Sequence, residues 1–179
     1  MSSPSLVRIC ILFLSLAAAA HGLARNYILI PAGDRWRYQA QGTNPGSTWL
    51  DPAFRALDWR LARTEIGYGD GSQDTLIDPP PEDAPQTTTV YFHKVFTCPN
   101  PGRYTLMQLR LLRDDGAVVY VNGQEIARSN MPAGTVNSQT IASAPVYGRD
   151  QQGFQTFRIP KTALRSGFNV LAVEVQPRS

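Results

Sequence analysis

The chain has 179 residues, of which 42% are hydrophobic and 17% charged, with two cysteines, two histidines and a net charge of +3. This length suits one domain with a substantial core, and the small, scattered positive charge argues against a nucleic-acid-binding protein. So few cysteines and histidines leave little material for a four-ligand zinc site.

The N-terminus has the pattern of a secretory signal peptide. Arg8 is the only charged residue before position 25, and a short apolar stretch and a run of small residues follow it. The stretch is shorter than the roughly 20 residues that span a bilayer, so we expect no membrane anchor. Cleavage is predicted after Gly22, or alternatively after Ala20, and a buried N-terminal helix is the competing interpretation. We therefore predict a signal peptide at 1–22, one domain at 23–179, and secretion.

Removal of the signal peptide would leave one cysteine, Cys98, and one histidine, His93. An intramolecular disulfide would then be impossible. Cys98 is expected either as a buried apolar thiol or as a bridge to a second chain.

Strand signals dominate the rest of the sequence. Runs that alternate or are rich in β-branched residues predict strands at 87–97, 104–113, 117–121, 124–127, 154–159 and 169–175. Asn122-Gly123 joins two of these runs and predicts a two-residue type I′ hairpin turn. Asp51 and Pro52 predict one or two helical turns within 52–63, and the prolines of 78–85 predict a loop. Short strands separated by turns indicate an all-β antiparallel sandwich or barrel.

Few residues are candidates for catalysis. The glycine-rich segment 67–71 is followed by neither Lys-Ser/Thr nor a helix, so we interpret it as a tight loop and not as a phosphate-binding loop. His93 lies within a predicted strand, and the chain has no Gly-x-Ser-x-Gly motif. The sequence therefore predicts a protein that is not an enzyme.

The sharpest polar cluster is Asp114-Asp115, which precedes Gly116 and faces the predicted turn at Asn122. Adjacent carboxylates supply the hard oxygen ligands that calcium prefers, and in lectin sites such an ion also takes sugar hydroxyls. The same residues are typical of a turn in which Asp side chains cap backbone N–H groups. Two interpretations stay open: a ligand site of Asp114, Asp115 and Asn122 with calcium at the aspartates, or a turn.

The three tryptophans, Trp36, Trp49 and Trp59, allow two interpretations as well. Their faces can stack on sugar rings. In a sandwich, however, Trp belongs more often to the core.

Several motifs follow one another in a set order: Trp36, Trp49, Trp59, GYGDG at 67–71, YFHKVF at 91–96, RDDGAVVYVNGQEIARSNMPAG at 113–134 and GFNVLAVEV at 167–175. This order resembles the galactose-binding-like jelly-roll domain, an accessory module of secreted proteins. Two pieces of the sequence, Asp114-Asp115-Gly116 and the run 119–123 (VYVNG), also resemble PA14-type sugar-binding domains. That second resemblance implies that Asp114 and Asp115 hold calcium beside a glycan.

The resemblance implies an antiparallel jelly-roll β-sandwich that binds carbohydrate or a glycoprotein, with calcium as a candidate cofactor. Two alternatives stay open. One is a structural or extracellular-matrix domain that contacts an extracellular protein. The other is a stand-alone accessory domain of a calcineurin-like phosphatase, although the metal-binding motifs of the phosphatase domain itself are absent from this sequence.

Overall fold

A computed structural model of the chain describes residues 7–17, 25–68, 73–78 and 89–178. Twelve strands in this part of the chain form two six-stranded sheets. The helical elements described are one α-helical turn, α1 (Arg149–Gln152), and three 3-10 turns at Ser47–Leu50, Pro101–Arg103 and Lys161–Ala163. None of these helical elements is long and apolar enough to cross a membrane.

Strand pairing divides the elements into sheet A and sheet B. Sheet A contains β1 (Val7–Ala17), β2 (Arg25–Ile30), β5 (Ile66–Tyr68), β6 (Thr75–Leu76), β8 (Tyr104–Asp114) and β11 (Gln155–Arg158). Sheet B contains β3 (Arg35–Gln39), β4 (Arg60–Arg63), β7 (Val90–Cys98), β9 (Gly116–Val121), β10 (Gln124–Ser129) and β12 (Gly167–Gln176). Sheet A has the order β11-β8-β1-β5-β6, with β2 also paired to β1, and sheet B has the order β10-β9-β12-β7-β3-β4. The described pairs are antiparallel except for β5 and β6, which confirms the all-β, antiparallel prediction.

The main core lies between the two sheets. Sheet B contributes Trp36 and Phe92, and sheet A contributes Met107 and Leu109, all of them at most 1% exposed. Along β12, Leu171 and its alternate neighbours face this core, as the period-2 pattern predicts. The molecule therefore has the layered character of a β-sandwich.

The predicted hairpin is confirmed. Asn122 and Gly123 separate β9 from β10 and have φ values of 50° and 84°. A type I′ turn requires positive φ at both central positions, which Asn and Gly tolerate best.

The predicted helical turns within 52–63 are wrong. The Asp51 carboxylate does accept a hydrogen bond from a backbone N–H, that of Ala53, at 2.7 Å, but it closes a local turn and not a helix. Arg60–Arg63 pairs with β3 as strand β4. Pairing with the edge of sheet B thus outweighs the local capping signal.

The N-terminal segment forms a strand in the full chain. Within the described residues 7–17, β1 pairs with β8 from Arg8↔Asp114 to Ala17↔Tyr104, and with β2 on its other side. The competing expectation of an N-terminal helix is therefore wrong for this segment. Cleavage after Gly22 is a processing event and stays a prediction, and residues 18–24 lie outside the described part of the chain.

Two predicted loops also fall largely outside the described residues. Gly67 and Tyr68 end β5, whereas residues 69–72 are not described. Of the proline-rich segment 78–85, the structure describes only Asp78.

Candidate functional site

The outer face of sheet B brings three distant residues side by side. Strand register places Arg37 of β3 opposite His93 of β7 on one side and opposite Leu61 of β4 on the other. Because Trp36 and Tyr38 point into the core, the alternation of a strand turns Arg37 outward. The pairing therefore joins residues 56 positions apart in the sequence (93 − 37).

Aromatic residues of the segment 47–59 cover part of this face. The Trp49 ring lies 5.1 Å from the Tyr91 ring and 6.2 Å from the Trp59 ring, centroid to centroid. Phe54 approaches the imidazole of His93 edge-on at 5.5 Å. These contacts form a second apolar cluster outside the main core, so the segment packs on the sheet as a fixed cover.

Arg37 ties this cover to the sheet. Its Nη1 donates hydrogen bonds to the backbone oxygens of Leu57 and Trp59, both at 2.9 Å. A guanidinium has five N–H donors, so these two bonds leave the donors of Nε and Nη2 available. Arg37 therefore fixes one wall of a cavity and still has donors for a ligand.

The cavity has a volume of about 240 Å³ and lies where the cover meets β3, β4 and β7. We call it the outer pocket. Its polar lining consists of Arg35, Arg37, Arg55, His93 and Lys94. The Lys94 ammonium already pairs with the Asp34 carboxylate at 2.8 Å.

His93 is the most deeply buried polar residue of the outer pocket, at 2% exposure. Its Nε2 atom is buried and has no hydrogen-bond partner among the described residues. Burial, together with the nearby positive charge of Arg55, lowers the pKa of His93 to about 4. The imidazole is therefore neutral at pH 7, so one ring nitrogen donates a hydrogen bond and the other accepts one.

The tryptophans divide between the two apolar clusters. Trp36 is 1% exposed and belongs to the main core, and Trp49 is 4% exposed beneath the cover. Trp59 is half-buried, with its ring 6.2 Å from the imidazole of His93. Of the three, Trp59 is the one whose ring contacts His93, although Trp59 itself does not line the outer pocket.

The aspartate pair lies elsewhere and is deeply buried. Asp114 ends β8 at 1% exposure, and Asp115 follows it at 4%. The Asp115 carboxylate accepts backbone N–H bonds at both oxygens, from Val146 at 2.7 Å and from Arg178 at 2.6 Å. Asp115 therefore joins two distant chain segments. Its carboxylate caps backbone N–H groups, as expected for a turn, but these groups belong to distant parts of the chain.

The side chain of Asn122, like that of Asp115, is hydrogen-bonded to other parts of the protein. Its Nδ2 donates to the backbone oxygen of Ala163 at 2.9 Å and to Oδ1 of Asn169 at 2.8 Å. Its Oδ1 accepts from the backbone N–H of Val170 at 3.0 Å. The side chain fixes the hairpin against β12, and its amide groups are used within the protein.

The described residues contain no group of three or more His, Cys, Asp or Glu side chains placed to hold a metal ion. Calcium at Asp114 and Asp115 stays a prediction. With both Asp115 oxygens bound to backbone N–H groups, coordination there would require these bonds to be shared or broken.

Glu174 is a further buried carboxyl group that the sequence analysis did not single out. It is 4% exposed, and the Tyr120 hydroxyl donates to its Oε1 at 2.7 Å. Burial raises the pKa of Glu174, and burial followed by the charge of Glu174 raises the pKa of Tyr91 to about 12. This group belongs to a hydrogen-bonded network within the sheet face and does not line the outer pocket.

Cys98 is fully buried in the main core, and burial raises the pKa of its thiol. This position agrees with the apolar-thiol interpretation. A bridge to a second chain would require the end of β7 to open.

Comparisons of the chain with protein-family models, with curated proteins and with solved structures found no match. The functional interpretation therefore depends on the outer pocket and on the sequence motifs.

Proposed function

We propose that this chain is a secreted, non-catalytic carbohydrate-binding module of the galactose-binding-like jelly-roll type, with the outer pocket as its sugar site. The observation that carries the proposal is His93, which lines the outer pocket beside the Trp59 ring and whose buried Nε2 has no hydrogen-bond partner among the described residues. Buried polar atoms in native proteins are nearly always hydrogen-bonded, so an unsatisfied nitrogen on a residue that lines a pocket supports a ligand group there.

The lining of the outer pocket supports binding and not catalysis. Its residues are arginine, lysine, histidine and aliphatic side chains, with no carboxylate, thiol or hydroxyl among them. Hydrolysis of a glycosidic bond commonly uses a pair of carboxyl groups. The neutral imidazole and the guanidinium donors suit the hydroxyl groups of a sugar instead.

Calcium is not required by this proposal. An ion at Asp114 and Asp115 would lie at the end of β8 in sheet A, whereas the outer pocket lies on β3, β4 and β7 of sheet B. Sugar binding in the outer pocket is therefore expected to persist when calcium is chelated.

A glycan array probed with three forms of the full chain tests the proposal. The forms are the natural protein, His93→Phe, which keeps an aromatic ring but removes both nitrogens, and Arg158→Gln, a matched surface control on β11 of sheet A. We expect the natural protein and R158Q to bind the same sugars, and H93F to bind them about tenfold more weakly. Thermal melting checks that H93F is folded.

Equal binding by the natural protein and by folded H93F would place the sugar site elsewhere. Absence of binding to every sugar would contradict the proposed function and favour a module for protein contact.

A further inference from the structure

The outer pocket has an excess of positive charge that the protein itself does not neutralise. Lys94 is paired with Asp34. Arg37 and Arg55, in contrast, use Nη1 for backbone oxygens, and neither forms an ion pair with a carboxylate among the described residues. Both side chains line the outer pocket, and the described residues provide no carboxylate to balance their charges.

A neutral ligand would leave this charge uncompensated. When a ligand covers a cation it removes water from it, and the cost of that desolvation is recovered only if an opposite charge replaces the water. The planar fork of arginine matches a carboxylate or sulfate group with two parallel hydrogen bonds. The charges of Arg37 and Arg55 therefore favour an anionic group.

The rim of the same pocket is apolar. Leu57, Leu61 and Val95 line it and are 70%, 52% and 42% exposed, respectively. Exposed aliphatic side chains around a polar site commonly mark a binding surface. They would contact the C–H face of a sugar ring while the charged group lies among the guanidinium donors.

We infer that the outer pocket binds an acidic sugar residue, with a carboxylate or sulfate group between Arg37 and Arg55 and a hydroxyl group at Nε2 of His93. This inference rests on the proposed function and adds the class of sugar to it. Arg55 is the better residue to test, because its guanidinium bonds lie within its own turn at Pro52 and Phe54, whereas Arg37 also holds the cover in place.

Calorimetric titration of the full chain tests the inference. The probes are a galacturonic acid trisaccharide, a galactose trisaccharide of the same length, a sulfated galactose trisaccharide and a tetraglutamate peptide. We expect at least one of the two acidic sugars to bind about tenfold more tightly than the neutral sugar. Comparison of the galacturonic acid trisaccharide with the sulfated galactose trisaccharide identifies whether the pocket prefers a carboxylate or a sulfate group.

Two variants separate the charge of the pocket from the total charge of the protein. Arg55→Gln is expected to remove the preference for the acidic sugar while weak binding of the neutral sugar persists. Arg158→Gln makes the same change of charge on β11 and is expected to leave all affinities unchanged.

Equal affinity for acidic and neutral sugars would overturn the inference and leave the proposed function intact. Unchanged preference for acidic sugars in R55Q would also overturn it. If no sugar binds, the proposed function itself fails. If tetraglutamate binds as tightly as the acidic sugars and R55Q abolishes that binding, the pocket recognises acidic peptides and the inference is wrong.

Discussion

His93 and Arg37 define the candidate site at the scale of single residues, and the sequence alone does not reveal them. Within its own strand, each residue has no feature that points to a binding site. His93 is a single histidine in β7, and Arg37 is an outward-facing arginine in the alternating sequence RWRYQ of β3. Their proximity follows from the register of two strands that are far apart in the chain, which local patterns do not determine. The one available signal is the unusual density of arginine and aromatic residues in the segment 47–63.

The aspartate pair shows the opposite case, in which a conspicuous motif has a structural use. Turn formation and ion binding both favour adjacent aspartates, so sequence could not separate the two interpretations. The structure shows both Asp115 oxygens bound to backbone N–H groups of distant segments. Asp115 thereby fixes the C-terminal residues and the loop at Val146 to the end of β8.

Replacement of Asp115 by alanine tests this role. We expect Asp115→Ala to lower the free energy of unfolding by about 3 kcal/mol, because two backbone donors lose charge-assisted bonds. Urea unfolding measures the change, and melting with calcium and with chelator should give the same temperature for the natural protein. A rise in melting temperature with calcium, lost in D115A, would instead support the predicted calcium site.

At the scale of elements, the hairpin and strand patterns predicted the positions of secondary-structure elements more accurately than the helix signals did. β7, β8, β9, β10, β11 and β12 lie within a few residues of their predicted bounds, because turn residues and period-2 alternation act locally. Strands β2 to β6 were not predicted. Their residues gain a strand conformation from pairing with neighbours, and propensity carries no information about that pairing.

The hairpin turn offers a test at this scale. We expect Asn122→Ala to destabilise the protein by about 3 kcal/mol, because it removes three side-chain hydrogen bonds and places alanine at positive φ. Asn122→Gly is the matched variant, since it removes the same bonds but tolerates the backbone conformation. It should recover about 1 kcal/mol of that loss, as measured by urea unfolding. Equal stability of N122A and the natural protein would show that these bonds contribute little.

At the scale of the whole molecule, the composition and strand count predicted a layered β protein, and the two sheets confirm it. The exception is the N-terminus. An apolar run is compatible with a signal peptide and with a buried strand, and in the full chain β1 pairs with β8 on one side and with β5 and β2 on the other. Sequence patterns alone do not distinguish a segment that is removed from one that is retained.

Intact-mass analysis of the protein secreted from expressing cells tests the predicted processing. We expect an N-terminus at Leu23. Removal of β1 would deprive β8 of one neighbour, so amide hydrogens at Met107–Leu112 should exchange faster in residues 23–179 than in the full chain. A secreted protein that retains residues 7–17 would contradict the signal-peptide prediction and make β1 a permanent part of sheet A.

The central claim is that the outer pocket, and not the aspartate pair, is the ligand site of this molecule. The most direct measurement is an NMR titration of the labelled full chain with the galacturonic acid trisaccharide, following the His93 ring and the Nε–H groups of Arg37 and Arg55. We predict that these signals shift most and saturate together, while the backbone signals of Asp114 and Asp115 stay in place. Saturating shifts centred on Asp114, Asp115 or Asn122, with none at His93, would contradict the claim.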